Sequence, residues 1–491
     1  MREIYFHNTY TKRKEKFEPL REGRVGMYVC GITSYDLCHM GHARAYVTFD
    51  VIRRAFEHFG FDVLFIQNFT DIDDKIIARA AERGVPAEEL SKQYVDAYFR
   101  DMDALNVRRA SFYPKVMKHI PEIVEAIEFL VDRGSAYAAG GSVYFDVSKV
   151  AGYGVLSGRD TREDELKSRI DDPNKRSALD FALWKESKPG EPFWESPWGR
   201  GRPGWHLECN VMSSLYLGAP FDIHGGGHDL IFPHHENEAA IASGLSDSGF
   251  ARYWIHNGFV TIEDEKMSKS LGNITAVRDV LERFPADVIR LFLLSTHYRM
   301  PLNFNTKVLE ETAAGYSRFA ALRDRLGSIA EGFDTSSGGE ADIPAGPGAD
   351  LAGALVEAAE KFDSALADDF NTPGAVAELY NMVKAGNNFA TAVEAAGPGG
   401  MDEGAAAAGA ALLWSNILKH GEVLGLSFEG ARGRADEDPE LTEKLVGSLI
   451  DLRNAARKNK DFAIADRIRD MLAAAGITLK DHPGGTSWSK I

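Results

Sequence analysis

Cysteine is scarce: the 491 residues contain three, Cys30, Cys38 and Cys209. Thiols so few and so far apart give no disulfide framework and fit a reducing compartment. Long apolar runs are missing as well, since no stretch approaches the ~20 residues that span a bilayer. The opening residues Met1-Arg2-Glu3-Ile4-Tyr5-Phe6-His7-Asn8 lack the apolar centre of a signal peptide. The chain is therefore expected in the cytoplasm, with no membrane partner. Nor is there an excess of positive charge: 56 Lys and Arg against 73 Asp and Glu leave a net charge of -17. That excludes binding nucleic acid through bulk charge, while a local basic groove on an acidic body remains open. No internal repeat is visible. What remains is ordinary for a globular protein, with 44% apolar and 26% charged residues. At ~150 residues per domain, the length suggests about three domains.

Hydrophobic patterning predicts an α/β protein. Arg24 to Cys30 reads as a strand, followed by a turn-rich stretch and a helix from about Gly41 to Phe59. Ala45, Phe49, Ile52, Phe56 and Phe59 step by four and three, so they share one helical face. Gly60 suits the residue that ends such a helix. Asp62 to Phe69 is a near-continuous apolar run suited to a strand covered on both faces. Asp71 to Asp74 lead into another helix. Strand, helix, strand, helix in this order predicts a parallel sheet. From 113 to 203 the pattern loosens, with strand material at Gly140 to Asp146 and a stretch rich in Pro, Gly and Trp, as in an insertion. The core resumes at Gly204, and Phe221 to His224 reads as a strand running into three glycines. Trp254 to Ile262 reads as strand material. Beyond Met300 the chain is helical and Ala-rich, interrupted by linker-like 335–350 and 395–409, and a charged stretch at 430–439 sets off a last unit.

Two sets of residues carry chemistry. Pro233 suits a first helical position, and His234 and Glu238, four apart, would then share a face. With Cys30 and Cys209, each read as lying at a strand end, they make a tetrahedral set of two thiolates, an imidazole and a carboxylate suited to zinc. Distant cysteines are more often small buried residues, and His235 and Glu236 compete as ligands. Cys38 is given no role. The second set concerns phosphate. His39-Met40-Gly41-His42 opens the first helix, where free N–H groups and partial positive charge suit phosphate and Gly41 allows close approach. Alone, two histidines near a helix cap are most simply surface residues. Lys266-Met267-Ser268-Lys269-Ser270 lies in a polar loop far downstream. Two lysines spaced by three, with hydroxyls beside them, can close over a triphosphate as charge builds in the transition state.

The pair of motifs resembles the HIGH and KMSKS signatures of class I aminoacyl-tRNA synthetases, with Met40 in place of the usual Ile. Met27 to Ile32, Asn68 to Lys75, Gly204 to Cys209 and Phe232 to Glu238 narrow it: together they are similar to the cysteinyl-tRNA synthetase family, over almost the whole chain. The resemblance implies a Rossmann-like parallel-sheet catalytic domain (1–112 and 204–260) with a connective insertion (113–203). A KMSKS-bearing junction (261–310), a helical bundle (311–429) and a small C-terminal anticodon-binding domain (440–491) would follow. It implies one zinc per chain on Cys30, Cys209, His234 and Glu238, with the substrate cysteine bound through its thiolate. Zinc favours sulfur and deprotonates a coordinated thiol, which would select against serine without editing. The implied reaction forms cysteinyl-adenylate and pyrophosphate from L-cysteine and ATP with magnesium, then moves cysteine to the terminal adenosine of tRNA(Cys). His39, Gly41 and His42 would bind ATP phosphates, Lys266 and Lys269 would stabilise the leaving pyrophosphate, and Thr70, Trp205 and Asp229 would line the amino-acid pocket. For Trp205, a core aromatic is the competing reading. A monomer is implied.

Near the end, 453–469 is a basic helix-like stretch on an acidic protein. Such a run is usually a solvated face; the resemblance makes Arg457, Phe462, Asp466 and Asp481 candidates for contacting anticodon bases. Phe462 stands where the family can carry Trp, so it stacks without an indole N–H. This unit separates the alternatives. A cysteine ligase of the mycothiol pathway shares the activation chemistry but joins cysteine to an amino sugar and is expected to lack a tRNA-reading domain. A non-catalytic RNA-binding relative would have no need of both intact nucleotide motifs.

Overall fold

The parallel sheet expected from the strand–helix alternation forms in the computed structural model, which describes residues 2–159, 172–262, 265–266, 275–329, 347–396, 402–428, 439–458, 461–474, 477–482 and 485–490. The chain divides into two units, Met1–Ala431 and Arg432–Ile491. In the first, the central elements are strand β1 (Arg24–Val29), helix α1 (Met40–His58), strand β2 (Asp62–Gln67), helix α2 (Trp205–Leu217), strand β3 (Phe221–Gly227), helix α3 (Glu236–Leu245) and strand β4 (Ala251–Asn257). The strands lie in the order β4-β3-β1-β2, all parallel. From β1 the chain steps to β2 on one side, and later to β3 on the other. Their connections therefore diverge, which leaves a crevice at the strands' carboxyl ends.

Helix α1 ends as expected, with Gly60 at φ +91°. Its burial is broader than a single face. Residues all round it are covered, because helices Ala286–Leu294 and Glu403–Val423 pack on the side away from the sheet. Inside that contact Arg290 donates to Asp50 (2.7 Å) and to the Leu424 carbonyl (2.8 Å), so a buried ion pair joins α1 to the bundle. Strand β2 departs from the two-faced expectation in its first half, where Asp62 and Leu64 reach solvent.

Residues 113–203 include a four-stranded antiparallel sheet, Ala136–Ala139, Ser142–Phe145, Phe181–Glu186 and Gly201–Pro203, whose core is continuous with α2 and α3. The strand expected over Trp254 to Ile262 is broken at Gly258, where a Cβ would lie 2.4 Å from the Met300 carbonyl oxygen. After the break, Val260–Ile262 pairs in parallel with Leu302–Phe304 and antiparallel with Glu265–Lys266. Helices Thr306–Ile329, Pro347–Ala367, Thr372–Ala396 and Glu403–Val423 make the expected helical region. The second unit has helices Pro439–Lys458 and Phe462–Ala474, a hairpin Ile477–His482 with Gly485–Lys490, and its own small core around Val446, Ile450, Ile468 and Leu472.

Candidate active site and metal cluster

Cys30 follows β1, and its thiol meets three donors from elsewhere in the chain. Sγ lies 3.5 Å from Cys209 Sγ, 3.6 Å from His234 Nε2 and 3.6 Å from Glu238 Oε1. His234 Nε2 is 2.9 Å from Glu238 Oε1. All four residues are buried, and their donor atoms lie within 4.8 Å of one another. A tetrahedral ion with bonds of ~2.3 Å to sulfur and ~2.0 Å to nitrogen or oxygen has ligand–ligand edges of ~3.3–3.8 Å. The three edges to Cys30 match that. The short His234–Glu238 edge is a hydrogen bond that a bound ion would replace. The chemistry of the set suits zinc.

Cys209 is corrected in one respect. It sits in the second turn of α2, not at a strand end: Gly204 begins the helix, and Leu207, Val211 and Met212 bury the face beside it. His234 lies in a wide turn, Ile231–His235, leading into α3, and this places it one turn before Glu238.

The local charges are strongly coupled. Burial raises the Cys30 thiol, and the neighbouring Cys209 raises it further, so Cys30 keeps its proton. Burial also acts against ionisation of Cys209, but the hydrogen bonds from Cys30 and His234 outweigh it and bring that thiol down to about 6. For Glu238, His224 and His234 overcome burial and hold the carboxyl down to about 2. His234 is carried up to about 10 by Glu238 and Cys209 against the effect of burial. Cys30 and His234 are thus shifted toward their protonated forms, so an ion held by the four donors would displace protons from them.

Residues beyond the expected four hold this set in place. His224, on β3, bonds Glu238 Oε2 through Nε2 at 2.7 Å. Trp205 stacks on His234, with ring centres 4.3 Å apart. His235 Nε2 is 3.3 Å from Cys30 Sγ, while its Nδ1 is 2.7 Å from His256 Nε2, whose own Nδ1 reaches Thr9 Oγ1 at 2.8 Å. His235 thus belongs to a second possible ligand set, with Cys30, His224 and Glu238. Glu236, the other competitor, turns away and accepts from the Gly154 and Ser157 N–H groups. The histidine chain has no spacing signature. Its one sequence signal is His224 followed by three glycines: a Cβ on Gly226 would meet His235 at 2.8 Å.

The cluster opens into a cavity of about 310 Å³ at the carboxyl ends of the strands. Cys30, Cys209 and His234 line it together with His39, Gly41, His42, Thr70, Trp205 and Asp229, and Lys75, Asn257, Gly258 and Phe259 complete a wall that the sequence did not suggest. Trp205 is thus a cavity residue rather than a core one. At the far side, His39 caps α1. Its Nδ1 accepts from the Gly41 and His42 N–H groups (3.1 and 3.4 Å), and its own N–H donates to His42 Nδ1 (3.3 Å). The Met40 N–H donates to the Thr275 carbonyl. The free N–H groups expected at this helix end are therefore occupied. With both Nδ1 atoms accepting, the neutral rings carry their protons on Nε2. The two imidazoles, stacked 3.8 Å apart, are the donors this end offers.

Lys266 lies in the short strand Glu265–Lys266 rather than in a loop, because that strand pairs with Val260–Ile262. Lys269 lies outside the described residues. In the second unit, Arg457 is in the last turn of Pro439–Lys458. Phe462 begins the next helix and is 60% exposed, Asp466 pairs with Arg469 (3.1 Å), and Asp481 is in the hairpin opposite Thr486. Cys38 is buried in the main core, and burial pushes its thiol up.

A family model described as the tRNA synthetases class I (C) catalytic domain matches residues 16–314, and a DALR domain matches 361–429. The chain is 47% identical over 498 residues to the cysteine--tRNA ligase of Pelotomaculum thermopropionicum, covering 99% of both chains. The chain belongs to the cysteine--tRNA ligase family. A second cysteine--tRNA ligase, from Desulforudis audaxviator, is 48% identical, with 98% of this chain and 99% of the relative covered. Among solved structures, Mycobacterium tuberculosis methionyl-tRNA synthetase in complex with methionyl-adenylate aligns at a TM-score of 0.61 with 17% identity, over 83% of this chain and 92% of that one. An Agrobacterium radiobacter K84 LeuRS-tRNA-LeuAMS complex aligns at 0.56 with 13% identity, over 84% and 86%. At such identities these likenesses speak for the fold, a class I synthetase architecture, which the cysteine--tRNA ligase relatives narrow to one family. Among the described residues no helix is long and apolar enough to cross a membrane.

Proposed function

We propose that the chain is a cytoplasmic cysteine--tRNA ligase that activates L-cysteine with ATP and transfers it to tRNA(Cys). The observation that carries this is one cavity with two ends. A buried cysteine–histidine–carboxylate cluster lies at one, and a histidine-capped helix at the other, in a chain of this family. Cys30, Cys209, His234 and Glu238 would hold one zinc ion. When bound, zinc supplies a soft Lewis acid that takes a thiolate in preference to a serine hydroxyl.

The remaining steps fall to the chain's own groups. Thr70, Trp205 and Asp229 surround the amino acid and fix its backbone. The cysteine carboxylate attacks the α-phosphorus of ATP, the bond to the bridging oxygen breaks, and pyrophosphate leaves with magnesium. His39 and His42 donate through Nε2 to phosphate oxygens, and Lys266 and Lys269 stabilise the charge that builds on the leaving group. The 2′-hydroxyl of the terminal adenosine then attacks the activated carbonyl, releasing AMP, while Arg457, Phe462, Asp466 and Asp481 read the anticodon. Catalysis on this account is chiefly positioning and charge stabilisation.

Replacing Lys269 with alanine tests the assignment of roles. Activation should slow at least ~100-fold while cysteine affinity stays nearly constant, as for a group that acts only in the transition state. Equal losses in both, or none in either, would remove Lys269 from that role.

A further inference from the structure

Between helices Pro347–Ala367 and Thr372–Ala396 the backbone turns through two left-handed residues, Asp369 (φ +60°) and Phe370 (φ +47°). Asp tolerates this region, but a bulky residue such as Phe does so only under strain. Such strain persists where the surroundings over-determine the backbone, and it points to a use for the turn. Here the Asp369 N–H donates to the Tyr5 carbonyl (2.7 Å), Thr372 Oγ1 donates to the Leu294 carbonyl (2.9 Å), and the Phe370 ring stacks on Phe6 with centres 5.5 Å apart.

The turn aims a buried carboxylate inward. Asp369 Oδ1 accepts from the Tyr298 hydroxyl (2.8 Å) and the His7 N–H (3.0 Å), and Oδ2 accepts from Arg299 Nε (2.8 Å) and Nη2 (2.6 Å). Three of these four bonds go to adjacent residues of one short segment. That segment is also held by the helix that His39 caps and His42 belongs to. Arg44 is 1% exposed, and its Nη2 donates to the Thr296 and His297 carbonyls (2.8 and 2.9 Å). Its Nε and Nη1 have no partner among the described residues, so there its guanidinium bonds those two carbonyls alone.

Residues 296–300 in turn back the cavity wall. The Tyr298 carbonyl accepts from the Gly258 N–H (2.7 Å), and the Leu302 N–H donates to the Phe259 carbonyl (2.8 Å). The backbones are so close that Gly258 has no room for a Cβ beside Met300. Gly258, Phe259 and Val260 line the cavity, and Val260–Ile262 packs on α1.

We propose that Asp369, in the helical bundle and outside the cavity, is a positioning residue for the nucleotide half of the site. It holds 296–300 against Arg44 and so sets the distance between the Gly258–Val260 wall and the histidines of α1. This rests on the reading that ATP occupies that half. The metal end is built from α2, α3 with the turn before it, and the residue after β1, and none of the bonds of Asp369 goes to these.

The test is ATP–pyrophosphate exchange on the full chain, wild type against Asp369→Asn, Asp369→Glu and Tyr298→Phe, with zinc content and thermal melting in parallel. Asp369→Asn should raise KM for ATP by ~10-fold or more, as for a small displacement remote from the chemistry. KM for cysteine and zinc content should stay within about twofold, since those groups are not displaced. Tyr298→Phe removes one of the carboxylate's bonds, keeps the ring packing, and should show the same ATP-selective defect more weakly. Asp369→Glu should recover part of the activity. A lower melting temperature with wild-type constants at 25 °C would make Asp369 merely structural and overturn the proposal, as would equal losses toward ATP and cysteine. If Asp369→Asn fails to fold, Tyr298→Phe decides by the same criteria. If wild type itself gives no exchange with cysteine, the proposed function fails. The positioning role is then judged by calorimetric titration with magnesium–ATP, where unchanged affinity in the variants refutes it.

Discussion

Glu238 sits between two imidazoles, His224 at 2.7 Å and His234 at 2.9 Å, and each does a different job. One oxygen is oriented by His224, which leaves the other to the cluster. Such supporting partners commonly change metal affinity by ~10–100-fold when removed. Cys209→Ser removes a sulfur outright. It should lower both zinc content, read by elemental analysis, and the preference for cysteine over serine, read by exchange kinetics. A fully loaded and fully selective variant would contradict the cluster. At the protein's edge, Asp74 accepts from Lys185 (2.7 Å) and Arg202, tying the helix Asp74–Arg83 to the sheet that contains Phe181–Glu186. Burial opposes ionisation here, but the two cations outweigh it and bring Asp74 down to about 2. A depressed carboxyl stabilises the fold above its ordinary value of 3.8 and loses that contribution as pH falls toward 2. Asp74→Asn should therefore melt below wild type at pH 7, with the gap closing between pH 4 and 2. Since Asp74 is half exposed, the effect is small and salt-sensitive. A gap that does not change with pH would contradict this. Donor type alone left His235 and Glu236 in competition, and the family resemblance singled out the four residues that the fold brings together. His235 was visible only as a competing ligand, and His224, His256 and Thr9 were not legible, because hydrogen bonds across separate segments leave no spacing to read.

At the scale of elements, periodicity located most strands and helices, and close approach explains its failures. The strand expected through Ile262 breaks because Gly258 lies against the Met300 backbone, and the burial of α1 exceeds one face because a second layer of helices covers it. Neither contact is visible in local sequence. The left-handed turn at Asp369 was equally silent, since an Asp-Asp-Phe-Asn stretch carries no turn-specific glycine. Gly31 gives a direct check on such approaches. It joins β1 to the cavity, its N–H donates to Asn68 Oδ1 at 2.8 Å, and a Cβ there would lie 1.6 Å from the Asn68 carbonyl oxygen. Backbone cannot yield as a side-chain tip does, so Gly31→Ala should destabilise the protein by ~1–3 kcal/mol in denaturant titrations. It should also impair activation, because Gly31 and Asn68 both line the cavity. Wild-type stability would show that the approach is looser than described.

Over the whole molecule, the two units carry separate cores, and every cavity residue named above lies in the first. Removing residues 432–491 should leave the rate of cysteine activation within about threefold, while charging of tRNA falls by ~100-fold or more, as expected when transition-state chemistry and RNA recognition reside in different parts. Equal loss of both would place part of the activation site in the second unit.

On the proposed function, the cavity selects cysteine through its metal cluster and delivers it to tRNA. The most direct measurement incubates zinc-loaded protein with ATP, magnesium and labelled cysteine or serine, with and without tRNA(Cys), and follows the label. Label is expected on the tRNA from cysteine, with none above background from serine. Adenylate that never reaches the tRNA, or serine carried as readily as cysteine, would contradict it.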